Sequence, residues 1–334
     1  MRLQKCILIV FTILALFTGC KETKKGKTML PSPAGAICDV LVVINEESWK
    51  GELGNVYREV LTGPYPYLPQ IEPYFNLSHV TKDVFASTAQ KFRNLIITKV
   101  DPKFTKPQFV IQTDVYASSQ VVVNVAAPTA EAAAIYIKEN ADRLREILDQ
   151  TEKDRYAELA KSKAEASITA AVKEKFGFDI FFPSGYQLRT SKPDFMWISL
   201  ETNLSSQGLL IYTSKYSGES DFTEENLSKI SDGFTKQFVP GPSDGSFMVV
   251  GKTVAPKVEK LTYKGRTWYR TRGFWDVKND FMGGPFISYS TYWKERDMVL
   301  TIKAYVYSPK KDKRKTLLQT EALIFNVNLD GKES

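Results

Sequence analysis

The sequence contains a single histidine, His79, among 334 residues. One imidazole excludes every site that needs two, such as a His-x-x-x-His zinc motif. A Ser/His/Asp or Cys/His catalytic arrangement would have to use His79, which has no acidic residue beside it in the sequence. The chain also lacks a Gly-x-Gly-x-x-Gly loop, a Walker loop and a Cys-x-x-Cys pair. We therefore expect no metal and no cofactor, and we interpret His79 as a structural residue.

Long apolar runs are scarce as well. Residues 6–17 form the longest one, and at twelve residues it is shorter than the roughly 20 that a membrane-spanning helix needs. Arg2 and Lys5 precede this run, and LFTGC at residues 16–20 resembles a bacterial lipobox, where a signal peptidase cuts before a cysteine that carries lipid. We predict a lipoprotein signal peptide at residues 1–19 and a lipid anchor on Cys20. The alternative is an ordinary secretory peptide with an incidental cysteine.

This anchor would place the protein in the cell envelope, and we expect it in the outer membrane. The sequence does not decide between the periplasmic face and the cell surface. Residues 20–36 are rich in Lys, Thr, Gly, Pro and Ser and predict a lipidated, flexible tether. The whole chain has 45 basic and 38 acidic residues, but from residue 28 onward the balance is 39 to 37. The positive excess therefore lies mostly ahead of the folded body, and we do not expect nucleic-acid binding.

Cysteine usage leaves one thiol in the body. Cys6 lies in the signal peptide and Cys20 is the lipid site, so Cys38 has no partner for an intramolecular disulfide. Cys38 opens an apolar run, which indicates a buried, unreactive thiol.

The hydrophobic pattern predicts an α+β fold with two packed halves of mainly antiparallel sheet covered by helices. The halves are residues 37–150 and 178–330, with a connecting helix at residues 151–177. Apolar spacings of three and four predict that residues 129–176 form one long helix or a helical pair. Further helices are expected at residues 54–61, 224–237 and 314–325. Strands are expected at residues 38–44, 71–77, 94–99, 109–116, 121–125, 179–182, 195–201, 208–215, 247–250, 267–275, 286–293 and 298–307.

Two groups of residues are candidates for chemistry. Glu72 lies between two prolines, and Glu46 and Glu47 follow the first strand, so carboxylates such as these are candidates for acid–base work. The second group combines a guanidinium, aromatic residues and a glycine turn, and it would line a groove for a peptide, glycan or lipid. Its members, taken with Glu72, are Arg272, Trp275, Met282, Gly283 and Gly284.

Four motifs resemble signatures of the DUF4837 family. They are LPQIEP at residues 68–73, RGFW at 272–275, FMGGPF at 281–286 and YVYSPK at 305–310. The resemblance extends from about Gly35 to Leu329. Members of that family are Bacteroidetes proteins of unknown function, often predicted lipoproteins, so the resemblance implies no activity, cofactor or catalytic residue.

The sequence leads to two functional hypotheses of different classes. The first is a lipid-anchored envelope protein, a non-catalytic module that binds an envelope protein, peptide or glycan. The alternative is an envelope hydrolase that uses Glu72 together with Glu46 or Glu47. Two carboxyl groups converging at about 5–10 Å in a cleft would favour the enzyme. No catalytic motif is recognisable.

Overall fold

The computed structural model describes residues 29–329, which build two β-sheets covered by helices. The N-terminal part contains five strands, two short helices after the first strand and one helix after the last. These elements are β1 (Asp39–Val43), α1 (Glu46–Lys50), α2 (Glu52–Thr62), β2 (Asn76–Val80), β3 (Asn94–Val100), β4 (Gln108–Thr113), β5 (Val121–Ala127) and α3 (Ala130–Glu139).

Two more helices lead from this part into the larger sheet. The remaining elements are α4 (Ala141–Ser162), α5 (Ala166–Phe176), β6 (Gln187–Lys192), β7 (Phe195–Glu201), β8 (Ser206–Lys215), α6 (Glu224–Phe238), β9 (Phe247–Val250), β10 (Lys257–Tyr263), β11 (Arg266–Lys278), β12 (Gly283–Trp293), β13 (Met298–Tyr307) and α7 (Arg314–Ala322). Short 3₁₀ turns occur at Glu219–Phe222, Lys294–Arg296 and Leu323–Asn326.

The N-terminal sheet has the order β2-β1-β3-β5-β4. Strands β2, β1, β3 and β5 run parallel, and β4 pairs antiparallel with β5 at the edge. Strand β1 is buried on both faces, with Val40 and Val42 packed in the core below the helices and Leu41 and Val43 under the opposite loops. Burial on both faces is typical of parallel strands, whose connections place a helix on the sheet.

The C-terminal sheet is antiparallel throughout. Its order is β10-β11-β12-β13-β8-β7-β6, and β9 pairs with the distal half of β11 on the β10 side. Helices α5 and α7 pack on one face of this sheet, and α6 covers the other. Strand β10 therefore lies at an edge, and among the described residues no strand pairs with its outer side.

The α+β class is confirmed, and most strand pairings are antiparallel, as the sequence predicts. All three parallel pairings lie in the N-terminal sheet. Two polar strands, β6 and β10, were not predicted. The strand predicted at residues 179–182 is not formed, because Asp179 makes only an isolated bridge with Asn328.

The predicted helix or helical pair at residues 129–176 is three helices, α3, α4 and α5. The first break occurs at Asn140, whose side-chain Nδ2 donates to the carbonyl of Tyr136 at 2.9 Å. Such a bond from a short amide side chain to its own backbone competes with helix continuation. The proposed boundary at residues 150/151 lies inside α4.

Helix α4 lies between the two sheets. Leu144 and Leu148 pack in the N-terminal core, while Ala160 packs in the core of the large sheet. Helix α7 has the same position, since Leu318 belongs to the first core and Leu317 to the second. We call the contact zone of α4 and α7 the seam. No helix within residues 29–329 is long and apolar enough to cross a membrane. Cys20 and residues 1–28 lie outside the described residues.

Candidate functional site

Glu72 is a helix cap. Its side chain is buried, and its two carboxylate oxygens accept the backbone N–H of Lys313 at 2.8 and 2.9 Å and that of Arg314 at 2.8 Å. These N–H groups open α7, where no side chain of the helix itself provides a cap. A carboxylate at this end also interacts favourably with the helix dipole. Glu72 therefore fixes the start of α7 against the N-terminal half.

Glu72 and Glu46 do not converge. Strands β1 and β2 are parallel, Glu46 follows the end of β1, and Glu72 precedes the start of β2, so the two carboxylates lie at opposite edges of the sheet. Five-residue strands separate these edges by about 13 Å or more. Glu46 and Glu47 are exposed in the first turn of α1, and Glu46 pairs with Lys50 at 3.1 Å.

His79 and Cys38 have structural surroundings. His79 stacks on Trp49 with ring centroids 4.5 Å apart, and its Nε2 lies 3.0 Å from the carbonyl oxygen of Ile44. Cys38 is buried, and burial raises the pKa of its thiol to about 11, so it is protonated at neutral pH. Within residues 29–329 no group of three or more His, Cys, Asp or Glu side chains is placed to hold a metal ion.

Two of the remaining groove candidates, Arg272 and Trp275, lie on opposite faces of β11. Successive side chains of β11 alternate, so Arg272 and Trp275 point to opposite sides of the sheet. Trp275 is buried in the core beneath α6, where its Nε1 donates to the carbonyl of Val306 at 3.2 Å. Arg272 lies on the face toward α4 and donates through Nη1 to Glu259 at 3.0 Å.

The two glycines permit close approach of strands around Trp275. A Cβ on Gly284 would overlap the carbonyl oxygen of Val306 and lie 3.1 Å from Nε1 of Trp275, and one on Gly283 would lie 2.8 Å from the Trp275 carbonyl oxygen. Met282 is half-buried against the same core. These residues form a packed corner of the sheet, so the candidates do not share one groove.

A cleft of about 800 Å³ lies between α4 and the β10–β11 hairpin. Residues of the 3₁₀ turn after α7 also line it. Helix α4 contributes Asp154, Glu158 and Lys161, and the hairpin contributes Tyr263 and Trp268. We call this space the α4–β10 cleft.

Aromatic rings form the floor of the α4–β10 cleft. Tyr263 and Phe325 meet edge to face with centroids 4.8 Å apart, Phe325 meets Tyr289 at 5.4 Å, and Tyr289 meets Trp268 at 6.4 Å. Burial, together with the nearby charge of Asp154, raises the pKa of Tyr263 to about 12, so its hydroxyl stays protonated. Such rings present flat apolar surface with polar edges.

The rim of the cleft is charged with both signs. Glu158, Lys161 and Lys264 are exposed, and Lys161 lies 5.9 Å from the ring centre of Phe181. An apolar floor with a few polar groups around it is the usual composition of a binding site for a ligand of drug size or a short chain segment.

A buried ion network supports the cleft from the side of the seam. Lys153 contacts Asp149 at 2.7 Å and Glu321 at 2.8 Å, and Arg314 also pairs with Asp149. Burial alone would raise the pKa of Asp149, but the charges of Lys153 and Arg314 hold it below its ordinary value. On the other side of α4, Glu152 pairs with Arg93 at 2.7 Å. The helix is thus tied to both halves by buried charge.

Sequence reasoning missed both the cleft and this network. The sequence of β10, KVEKLTY, has few apolar residues and did not predict a strand, although its alternate residues face α4. Asp149 and Lys153 stand four residues apart, which on a helix is typical of a solvated surface pair. The presence of five charged residues among the seven at 149–155 was the available signal.

Two family models match this chain. Residues 165–326 match DUF4837, a domain of unknown function, and residues 33–161 match DUF8532, also a domain of unknown function. The resemblance carried by RGFW, FMGGPF and YVYSPK is therefore confirmed. The DUF4837 match begins at residue 165 rather than near Gly35, and LPQIEP lies within the DUF8532 match. A comparison with curated proteins gives no match.

The two matches meet between α4 and α5. Helix α4 falls almost entirely in the DUF8532 match, and the β10–β11 hairpin falls in the DUF4837 match. The α4–β10 cleft is therefore lined by residues of both matched regions.

Proposed function

We propose that this chain, whose residues 165–326 match the DUF4837 domain, is a lipid-anchored protein of the cell envelope that binds a peptide or glycan segment of an envelope partner in the α4–β10 cleft. The observation that carries the proposal is the cleft itself, a space of about 800 Å³ with an aromatic floor and a rim of both charges. Binding sites are frequently formed between domains, where neither domain closes the space alone.

The edge of β10 favours a peptide over a glycan. Strand β10 borders the cleft through Tyr263, and apart from Val258, whose N–H donates to Glu224 at 3.2 Å, its outer backbone groups have no partner among the described residues. An extended peptide adds to such an edge by main-chain hydrogen bonds and places alternate side chains in a neighbouring pocket. A glycan would use the aromatic floor alone.

The hydrolase alternative has no supporting observation. Both oxygens of Glu72 are committed to the start of α7, and Glu46 lies at the opposite edge of the sheet. A pair of carboxylates for glycoside hydrolysis requires a separation of about 5–10 Å across a cleft.

The anchor is tested by Cys20→Ala. Stable membrane attachment through acyl chains requires the thiol that carries them. We expect the wild-type protein in the membrane fraction and Cys20→Ala in the soluble fraction after cell lysis. Retention of the variant in the membrane fraction, at the wild-type level, would contradict the lipid anchor.

The cleft is tested by site-specific photo-crosslinking in cells. A benzophenone amino acid at Lys161, on the rim, should form an adduct of defined mass. The same group at Lys229, an exposed residue of α6 on the opposite face of the large sheet, is the matched control. Tyr263→Ala removes a half-buried ring of the cleft and should reduce the Lys161 adduct, and the secretion and thermal midpoint of the variant are measured beside those of the wild type.

The adduct also distinguishes the two ligand classes. Digestion of the attached moiety by protease indicates a peptide, and its oxidation by periodate indicates a glycan. Equal labelling from Lys161 and Lys229, or a Lys161 adduct that Tyr263→Ala leaves unchanged, would count against binding in the cleft.

A further inference from the structure

A second cavity lies at the other end of α4, where its first turns face β10 and β11. It has a volume of about 410 Å³ and is lined by residues of both halves, among them Tyr65, Arg145, Lys153 and Arg272. It is separate from the α4–β10 cleft, and its surroundings are strongly polar.

Two side chains of this cavity carry hydrogen-bond donors with no acceptor among the described residues. Tyr65 is only 4% exposed, and its hydroxyl has no partner. Arg272 uses Nη1 for Glu259, but its buried Nε has no partner. Arg314 stacks on the Tyr65 ring at 3.9 Å and also retains unpaired nitrogens, Nε and Nη1. Buried donors are nearly always satisfied in folded proteins, so this cluster indicates a missing acceptor.

Charge on the β10–β11 wall of the cavity supports the same conclusion. Arg270 and Arg272 are half-buried, and both pair with the one carboxylate of Glu259, at 2.6 and 3.0 Å. Two guanidinium groups on a single carboxylate leave this wall positive, and uncompensated charge is unfavourable where solvent is largely excluded. Of the other acids of the lining, Asp149 is paired with Lys153 and Arg314, and Asp142 and Glu146 are exposed, so solvent screens them.

We propose that this cavity binds a small oxyanion, a carboxylate or a phosphate group, through the Tyr65 hydroxyl and the Nε edge of Arg272. The planar guanidinium matches the spacing of two oxygens on one carbon or phosphorus, and the phenol supplies a third donor from a different element. An anion here satisfies the free donors and neutralises the excess charge. This site is independent of the partner proposed for the α4–β10 cleft.

The test uses the full-length protein in nonionic detergent, titrated with sodium phosphate, sodium acetate or sodium chloride at equal ionic strength. Heat of binding and thermal midpoint are measured for each salt. We expect phosphate or acetate to bind and to raise the midpoint above the value in chloride. A larger response to phosphate identifies a phosphoryl ligand, and a larger response to acetate identifies a carboxylate ligand.

Variants assign the binding to the two donors. Tyr65→Phe removes one oxygen without changing the ring, and it should weaken the affinity about tenfold. Arg272→Gln should weaken it about a hundredfold, and Arg272→Lys, which keeps the charge without the planar fork, should fall between the two. Tyr57→Phe is the control, because it removes a fully buried hydroxyl that bonds Thr98 at 2.7 Å in the N-terminal half.

Two results would overturn the proposal. One is a response to phosphate and acetate no larger than the response to chloride. The other is binding that Tyr65→Phe leaves at the wild-type affinity, since this isosteric variant retains the packing of Arg314 on the ring. If Arg272→Gln does not fold, Tyr65→Phe decides alone.

Discussion

A buried lysine lies on each face of the eight-stranded C-terminal sheet. Carboxylates contact the lysine on one face only. At the seam, Lys153 contacts two carboxylates, Asp149 at 2.7 Å and Glu321 at 2.8 Å. Beneath α6, Lys303 lies 2.9 Å from the Ser231 hydroxyl and 4.0 Å from the ring centre of Phe286. No salt bridge of Lys303 occurs within residues 29–329.

The difference is expressed in the pKa values of the two ammonium groups. Burial favours the neutral form of both. For Lys153 the charges of Asp149 and Glu321 outweigh burial and raise the pKa above its ordinary value. For Lys303 burial dominates and lowers the pKa to about 8, although the charge of Asp232 opposes the shift. Burial therefore does not determine the state of a lysine, whereas its nearest carboxylates do.

This contrast assigns different roles to the two faces. The seam is a set of buried ion pairs between elements far apart in the chain, so it specifies how the halves dock rather than adding much net stability. Under α6, by contrast, hydroxyl groups surround one buried ammonium group, that of Lys303, and they include those of Thr271, Ser288 and Ser290. Replacing the lysine with methionine should therefore lower the free energy of unfolding at the seam and raise it under α6.

The largest effect is expected for Lys153→Met. The substitution keeps an unbranched side chain of nearly the same length, but it leaves Asp149 with Arg314 alone and removes the ionic partner of Glu321. Breaking a buried pair in this way costs about 3–5 kcal/mol of unfolding free energy. Urea denaturation at pH 7 measures the loss. Lys50→Met removes an exposed pair with Glu46 and should change stability by less than about 0.5 kcal/mol. Equal losses of stability in Lys153→Met and Lys50→Met would mean that the buried pairs contribute no more than an exposed pair.

The second prediction is the reverse response of Lys303→Met. This substitution removes an ammonium that is buried without a carboxylate contact, so the free energy of unfolding at pH 7 should rise by about 1–3 kcal/mol. The measurement is the same urea titration, with Lys153→Met beside it. A loss of stability comparable to that of Lys153→Met would mean that Lys303 has an acidic partner in solution.

The pH dependence of the wild-type protein follows from the same group. The Lys303 pKa is about 8 in the native state and 10.5 as an unperturbed side chain. Between these values the unfolded chain binds a proton that the native protein has released, so stability rises with pH. Protonation of Lys303 thus destabilises the fold below pH 8. The contribution of Lys303 to this rise should reach about 3 kcal/mol from pH 7 to pH 10.5. It is measured as the difference between the wild-type and Lys303→Met proteins, because the raised pKa of Cys38 lowers stability at alkaline pH in both. Asp232 and the buried Tyr212 are the other titratable groups around Lys303.

Much of the fold could be predicted because it depends on local pattern. The apolar runs of β7, β9 and β13 are reproduced at the predicted bounds, and the spacing of Leu144 and Leu148 identified the buried side of α4. The strands β6 and β10 were missed because they lie at edges and carry few apolar residues. Parallel pairing in the N-terminal sheet depends on tertiary contacts that a strand pattern does not encode.

The candidate site was far less predictable, because its groups come from distant parts of the chain. Glu72 was recognised as rigidly held, but its partners on α7 are 241 and 242 residues away. Arg272 and Trp275 stand three positions apart in a strand, and this odd spacing already placed them on opposite faces. The strand alternation was visible in the sequence, whereas the approach of α4 to β10 was not.

The smallest effect is expected for Glu72→Gln, which compares the seam with the outer surface. Glutamine retains one acceptor oxygen and loses the negative charge at the start of α7, so one N–H of Lys313 or Arg314 loses its partner. A lost ionised cap costs about 1–2 kcal/mol. Glu46→Gln is the matched control at an exposed first turn, and it should change stability by less than about 0.5 kcal/mol. A loss confined to Glu72→Gln, measured by urea denaturation at pH 7, would identify this carboxylate as a structural cap. Equal stability of both variants would instead free Glu72 for another role and return the hydrolase hypothesis to consideration.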